Sequence, residues 1–298
     1  MKVLITGTSG FLGSHLVKGL HSSPEFTLFA VDRAVYEPSH TLVEEAFLLG
    51  DSRPGAFFEQ LSEKISPDVV VHAAARSSFF GCEIDPLETE EANVSYTEAV
   101  AQFCKKTSAR LIFISTDLVF DGNGLPEEGG FTEEVTPLPL SKYATTKVQG
   151  ENIVAHVGES SLILRISLLY GPVSGRGGGP LCWAVEAEKE GKPITAFMDE
   201  WRTPLYVGDL VMIIERALQS KISGTYHVGG SERVNRVQFF EEFLQVCSGD
   251  PSLLREASRT DVEGPKRPED VSLSSAKLCN DLGVELTPLI DGLRASLL

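Results

Sequence analysis

Short apolar runs alternate with amphipathic stretches along the first half of the chain. Val3-Leu4-Ile5, Leu28-Phe29-Ala30-Val31, Ala46-Phe47-Leu48-Leu49, Val69-Val70-Val71-His72 and Leu111-Ile112-Phe113-Ile114 are each bounded by polar or glycine positions. Continuous apolar runs of this length predict strands buried on both faces. Helical spacing begins near Phe11, recurs through Leu61 and Ile65, and extends from about Pro86 to Lys106, where Ala92, Val94, Ala99, Val100 and Phe103 mark the apolar side. Strand and helix that keep alternating predict a parallel sheet with helices on both faces, and ligands then bind beyond the carboxyl ends of the strands.

Further along, a helix is predicted from about Ser141 to Val157, closed by Gly158, after a Gly-, Pro- and Glu-rich loop over Phe120 to Pro139. Beyond Ile166 the alternation loosens. Gly175-Arg176-Gly177-Gly178-Gly179-Pro180 reads either as a lid over a substrate or as a long connection. A helix over Leu181 to Lys189, a strand at Ile194 to Phe197, the apolar Leu205-Tyr206-Val207, and a helix from Val207 to Leu218 that returns to the first half follow. Phe239, Phe240, Phe243 and Leu244 have the helical spacing of a core face, and the chain closes on an amphipathic helix.

The first strand runs into Thr6-Gly7-Thr8-Ser9-Gly10-Phe11-Leu12-Gly13. Gly7 would let the chain turn, Gly10 would admit a pyrophosphate to the backbone N–H groups, and Gly13 would pack the helix on the strand. Phosphates would lie over the positive helix end near Phe11 and Leu12. About twenty positions on, the second apolar run ends in Asp32, where a dinucleotide fold accepts a ribose hydroxyl. Asp32 favours NAD because a carboxylate repels a 2′-phosphate; Arg33 beside it suits NADP instead. Asp51, closing the third strand, is a candidate acceptor for the adenine amino group or a plain turn residue. Ala73, Ala74 and Ala75 after the fourth strand leave room for a ribose and nicotinamide, while His72 reads as packing. These features predict an α/β protein with a Rossmann-type doubly wound parallel sheet over residues 1–166, a return segment near 203–228, and a smaller α/β substrate-binding part over 167–298.

Length and charge narrow the partners. At 298 residues and 42% hydrophobic, the chain can bury a large core. A net charge of -16 argues against nucleic acid or an anionic membrane, so an anionic substrate needs a local Arg cluster, for which Arg165, Arg176, Arg202, Arg233 and Arg267 are candidates. Five scattered cysteines without a C-x-x-C pair predict neither a disulfide framework nor a zinc site, and with no apolar run long enough to span a membrane the expectation is a cytoplasmic protein.

Tyr143 and Lys147 lie four apart on the predicted Ser141–Val157 helix, downstream of a strand that ends in Ser115-Thr116-Asp117. Together with the glycine turn, this resembles the extended short-chain dehydrogenase/reductase family, and within it the dTDP-4-dehydrorhamnose reductase-like branch. The resemblance covers nearly the whole chain. It includes Ser115-Thr116-Asp117-Leu118-Val119-Phe120-Asp121-Gly122, Gly150-Glu151, Arg202-Thr203-Pro204 with Asp209-Leu210, Gly224-Thr225-Tyr226-His227-Val228, and Arg267-Pro268 with Leu273.

The resemblance implies NAD or NADP as cofactor, with NAD slightly favoured, and a nucleotide-linked deoxysugar as substrate. Tyr143 would give the carbonyl oxygen its proton, and Lys147 would hold ribose hydroxyls and lower the Tyr pKa. Thr116 would align the carbonyl oxygen, with Ser115 the weaker candidate because neighbours on a strand face opposite ways. Asn93 joins the cofactor set, Arg76 and Ser77 join Thr116, Arg176 and Arg202 on the substrate side, and Asp117 is structural. A homodimer is the expected assembly.

Several positions depart from the branch. Ala144 follows Tyr143 where Gly is usual, Leu168 stands where the rhamnose-forming enzymes carry Trp, and Arg76 to Glu83, with Pro86 and Asn93, looks more like the epimerase relatives. Leu118 occupies the place where the nucleotide-sugar dehydratases have a Glu that removes water, and leucine cannot do that work. Two rival readings follow: an epimerase that retains NAD, and a non-catalytic nucleotide-binding subunit similar to the regulatory subunit of methionine adenosyltransferase.

Overall fold

Every apolar run of the first half forms a strand of one sheet. The computed structural model describes residues 1–33, 35–50, 52–123, 129–175 and 179–297. Its central strands are β1 (Lys2–Thr6), β2 (Thr27–Asp32), β3 (Glu45–Leu48), β4 (Val69–His72), β5 (Arg110–Thr116) and β6 (Leu162–Ile166). Short strands β7 (Leu169–Tyr170), β8 (Ile194–Phe197), β9 (Trp201–Arg202) and β10 (Leu205–Tyr206) precede β11 (Gly224–Val228), and β12 (Val234–Asn235) and β13 (Leu254–Ala257) follow it. The main sheet is parallel, in the order β11-β6-β5-β4-β1-β2-β3. The order reverses at β1. That reversal opens the crevice in which doubly wound sheets bind ligands.

Alternation along the strands builds two apolar layers. Val3, Ile5, Val69, Val71 and Ile112 face the helices Phe11–His21 and Val207–Gln219, whose Leu16, Leu20, Leu210 and Ile213 cover them. Leu4, Val70, Leu111 and Phe113 face the other way, onto Phe58, Val100 and Phe103. A third cluster, with Tyr170, Leu181, Ile194, Phe239, Phe240 and Phe243, lies in the C-terminal part, where β8 pairs with β13, β9 with β12 and β7 with β10. Register places Thr6 beside His72, and Thr116 beside Ile166, so these strand ends share one rim.

The Pro86–Lys106 pattern predicts one continuous helix, and the structure interrupts it. Pro86–Glu90 and Tyr96–Thr107 are α-helical, but Glu91–Ser95 between them is a π turn. The Asn93 amide accepts from the Arg76 N–H at 2.7 Å and donates to the Arg76 carbonyl at 3.0 Å, while Thr97 Oγ1 donates to the Asn93 carbonyl at 2.6 Å. An apolar period does not register such a clamp, because the buried face is kept through the extra residue.

The glycine turn leaves no room at the first helix. A Cβ on Gly13 would run into the Gly7 carbonyl group. Gly13→Ala is therefore expected to lower the unfolding free energy by about 1–3 kcal/mol through overpacking, read as an earlier urea midpoint at unchanged slope.

Candidate active site

Gly7 has φ +76°, and a Cβ there would lie 2.8 Å from the Ala74 Cα. Turn and alanine segment are therefore fitted to each other by their small size. The Ala74 N–H donates to Thr6 Oγ1 at 3.2 Å, and that hydroxyl also bonds the buried His72 Nδ1 at 2.8 Å. Burial pushes His72 down to about 3, so the ring is neutral, and with Nε2 3.0 Å from Thr97 Oγ1 it bridges the strand end to the helix behind it. The helix Phe11–His21 starts after Gly10 with no side-chain cap and no acidic residue in its first turn. Helix N–H groups left in this state, with the positive end of the dipole behind them, suit an anion such as a pyrophosphate. From the far side, Ser174 accepts from Lys18 Nζ at 2.9 Å and from Ser14 Oγ at 3.0 Å, so the segment before the second glycine loop is tied to this helix.

Asp32 closes the turn from below. It accepts from the Thr8 hydroxyl, from the Ser9 N–H at 3.1 Å and from Ser9 Oγ at 2.7 Å, and it faces His40 Nε2 at 3.1 Å. Arg33 beyond it is exposed. Asp51 lies outside the described residues, as does Arg176.

At the end of β5 neighbouring residues part company. Ser115 Oγ turns to Glu151, whose carboxylate also takes Arg165 Nε at 3.0 Å and Nη2 at 2.7 Å. Thr116 turns to the opposite side, where its hydroxyl donates to Asp117 Oδ1 at 3.1 Å beside the Tyr143 side chain. Tyr143 and Lys147 are carried on the helix Lys142–Ala155, capped where Ser141 Oγ accepts the Ala144 N–H at 3.2 Å. Burial, with Asp117 and Cys82 adding to it, holds the Tyr143 phenol above its ordinary value, and the Thr116 bond works against that. Lys147 is 4% exposed, with Nζ 4.0 Å from the centroid of the Phe113 ring. Desolvation pulls it down to about 7, opposed by Glu151.

The candidate substrate residues are tied within the chain. Arg202 Nη1 pairs with Asp117 Oδ1 at 2.9 Å and its Nη2 reaches Glu200 at 3.5 Å. Arg267 donates to Glu200 at 3.1 Å, Arg233 pairs with Asp270, and Arg76 pairs with Glu88. Ser77 is exposed beside Arg76. Glycine turn, Asp32, Ala73 to Ala75, Thr116, Tyr143 and Lys147 thus gather at the sheet's carboxyl rim, whereas Asn93 and Ser115 serve clamps beneath it. His40, Glu200 and Arg236 were not legible in the sequence, since each acts through a partner far along the chain, and Glu151 stood there only as part of the Gly150-Glu151 motif with no partner named; only the strand alternation of β5 points to Phe113 under Lys147.

Fold and site together define a Rossmann-type α/β protein with a Tyr-Lys couple at the edge where sheets of this kind bind ligands. Among the described residues the cradle fits a dinucleotide: a glycine turn that a Cβ would fill, an uncapped helix end and a buried lysine. The chain belongs to the family described as RmlD substrate binding domain, whose model matches residues 1–297. This is the dTDP-4-dehydrorhamnose reductase-like branch of the NAD-dependent epimerase/dehydratase superfamily. It is 29% identical to the probable low-salt glycan biosynthesis reductase Agl14 of Haloferax volcanii, over 99% of this chain and 97% of that protein. It is 30% identical to methionine adenosyltransferase 2 subunit beta of Mus musculus, over 99% of this chain and 87% of that one. The crystal structure of UDP-glucose 4-epimerase from Thermus thermophilus, a complex with NAD, superposes with a TM-score of 0.85 at 25% identity, covering 100% of this chain and 98% of the other. No helix among the described residues is long and apolar enough to cross a membrane, and no group of His, Cys, Asp and Glu there could hold a metal ion.

The depressed Lys147 value makes stability depend on pH. Between about 7 and the ordinary 10.5 the unfolded chain holds a proton that the folded chain lacks, so this position contributes more stability as pH rises through that window. Lys147→Met removes the penalty. Urea unfolding is expected to show the variant more stable than wild type by about 2 kcal/mol or more at about pH 6.5, with the gap closing toward about pH 10.

Proposed function

We propose that the protein is an NAD(P)-dependent reductase acting on a keto group of a nucleotide-linked deoxysugar. The observation that carries this reading is the placement of Tyr143 beside Thr116 at the end of β5, with Lys147 buried one helical turn away. A bound nicotinamide would supply the hydride. Tyr143 gives its phenolic proton to the carbonyl oxygen, and Thr116 aligns that oxygen once its hydroxyl proton turns from Asp117 to the substrate. Lys147, once a ribose diol shares its site, places positive charge near the phenolate left behind and lowers the cost of giving up the proton. Residues 1–166 with the return near 203–228 hold the dinucleotide in this reading, and 167–298 mainly the sugar nucleotide. Asp32 leans the choice of cofactor slightly to NAD, and the reading includes a homodimer in the cytoplasm.

The reductase similar to this chain along nearly its whole length supports the assignment. The 30% identity to a methionine adenosyltransferase subunit favours a second reading, a nucleotide-binding regulatory subunit that keeps Tyr and Lys without turnover. Ala144 and Leu168, which depart from the rhamnose-forming pattern, leave the sugar itself open.

Oxidation of NADH and NADPH against a panel of nucleotide-linked 4-keto sugars separates the two. Wild type is expected to turn over at least one panel member, and Tyr143→Phe to lose about 100-fold or more of kcat because its proton donor is gone. Cofactor binding by both proteins with no turnover by either would replace the reductase by the regulatory subunit.

A further inference from the structure

Two donors meet on one carboxylate oxygen at the tip of β5. Asp117 Oδ1 takes the Thr116 hydroxyl at 3.1 Å and Arg202 Nη1 at 2.9 Å, while Oδ2 takes Ser167 Oγ at 2.9 Å. The Thr116 oxygen accepts the Leu118 N–H at 3.3 Å, which holds the hydroxyl in place while its proton can rotate. To align a substrate carbonyl, that proton has to leave Asp117. The cost of leaving depends on what Oδ1 keeps, because a buried acceptor stripped of its partner costs more than a hydrogen bond contributes. With Arg202 in place, Oδ1 is never bare.

The same contacts withdraw Arg202 from the substrate. It is 6% exposed, its Nη2 reaches Glu200 at 3.5 Å, and its Nε, which has no partner, is sealed from solvent. A guanidinium held in this way offers little to an outside diphosphate, although the family resemblance puts Arg202 on the substrate side. Its charge acts inward. Without it, Thr116 would be the one donor left on Oδ1 among the described residues, and the buried carboxylate would hold that hydroxyl for itself.

We infer that Arg202 is a positioning residue for the reduction: by holding Asp117 Oδ1 it releases the Thr116 hydroxyl to the substrate oxygen, and it is not itself a substrate ligand. The inference rests on the reductase reading above and deepens it.

The test measures kcat and KM on a nucleotide-linked 4-keto sugar that wild type reduces, and the Kd of the matching nucleoside diphosphate by calorimetry. Arg202→Met is expected to lose about tenfold of kcat, with KM and that Kd within about threefold of wild type. The kcat cost of Thr116→Ala, about 100-fold in wild type, is expected to shrink to about tenfold in the Arg202→Met background, because Asp117 already withholds the hydroxyl there. A merely structural role leaves the two costs multiplicative. Arg202→Met combined with Asp117→Asn removes both charges, so no buried charge is stranded should Arg202→Met alone fail to fold. Asn is the weaker acceptor, and this combination is expected to keep kcat within about threefold of wild type, with the full Thr116→Ala cost. Multiplicative costs, loss of kcat in the combination, or a nucleoside diphosphate weakened about tenfold by Arg202→Met overturns the role of Arg202 and leaves the reductase reading standing. No turnover by wild type on any 4-keto sugar overturns that reading and the inference with it.

Discussion

The Asp117 carboxylate is the joint on which the site depends. Oδ1 takes the Thr116 hydroxyl and Arg202 Nη1, and Oδ2 takes Ser167 Oγ at 2.9 Å. Asp117 is 2% exposed and Arg202 6%, so both charges have left water. A buried pair of this kind persists only when further hydrogen bonds use the remaining acceptors, and loss of one partner strands the other. The consequence is geometric. One carboxylate fixes the tip of β5, the residue after β6, and β9 of the C-terminal part, so the hydroxyl that meets Tyr143 is aimed by both parts of the chain at once.

Tyr143 is held from beneath in the same manner. The helix Lys142–Ala155 sends Glu151 into the sheet, where Ser115 and Arg165 donate three hydrogen bonds to it, and Arg165 Nη1 meets His227 Nε2 on β11 at 3.3 Å. Gly150 lies against Phe113 with no space for a Cβ, so the helix sits close on β5. That closeness is what lays Lys147 over the Phe113 ring and strips it of water. The packing of β5 and the chemistry of the lysine are one fact seen at two scales.

Strand positions, their alternation and the glycine turn were legible because period and chain entropy act locally: Val3 and Ile5 face one layer and Leu4 the other, as their spacing requires. Ser115 and Thr116 facing apart follows from the same alternation. The π turn at Asn93 was not legible, because a side-chain clamp to Arg76 decides it and the apolar face survives the extra residue. Nor were all the partners of Asp32. A carboxylate in register with a glycine turn predicts an acceptor, but one of its donors is His40, which a short helix brings back through tertiary contact alone.

Charge explains the arginines in similar terms. A protein of net charge -16 has carboxylates to spare, and Arg165, Arg202, Arg233 and Arg267 each find one inside the chain. Guanidinium groups neutralised in this way exert little attraction on an outside anion. The balance tips at Glu200, where Arg202 and Arg267 are joined by Arg236, whose Nε stays 4.0 Å off and whose burial pulls it down to about 10. Three guanidinium groups there face two carboxylates, Glu200 and Asp117. Such an excess in a partly desolvated place reaches further than the same charge in water. It runs through Arg202 and Asp117 to Thr116, so the arginine cluster and the Thr116 edge of the site are mechanically the same unit.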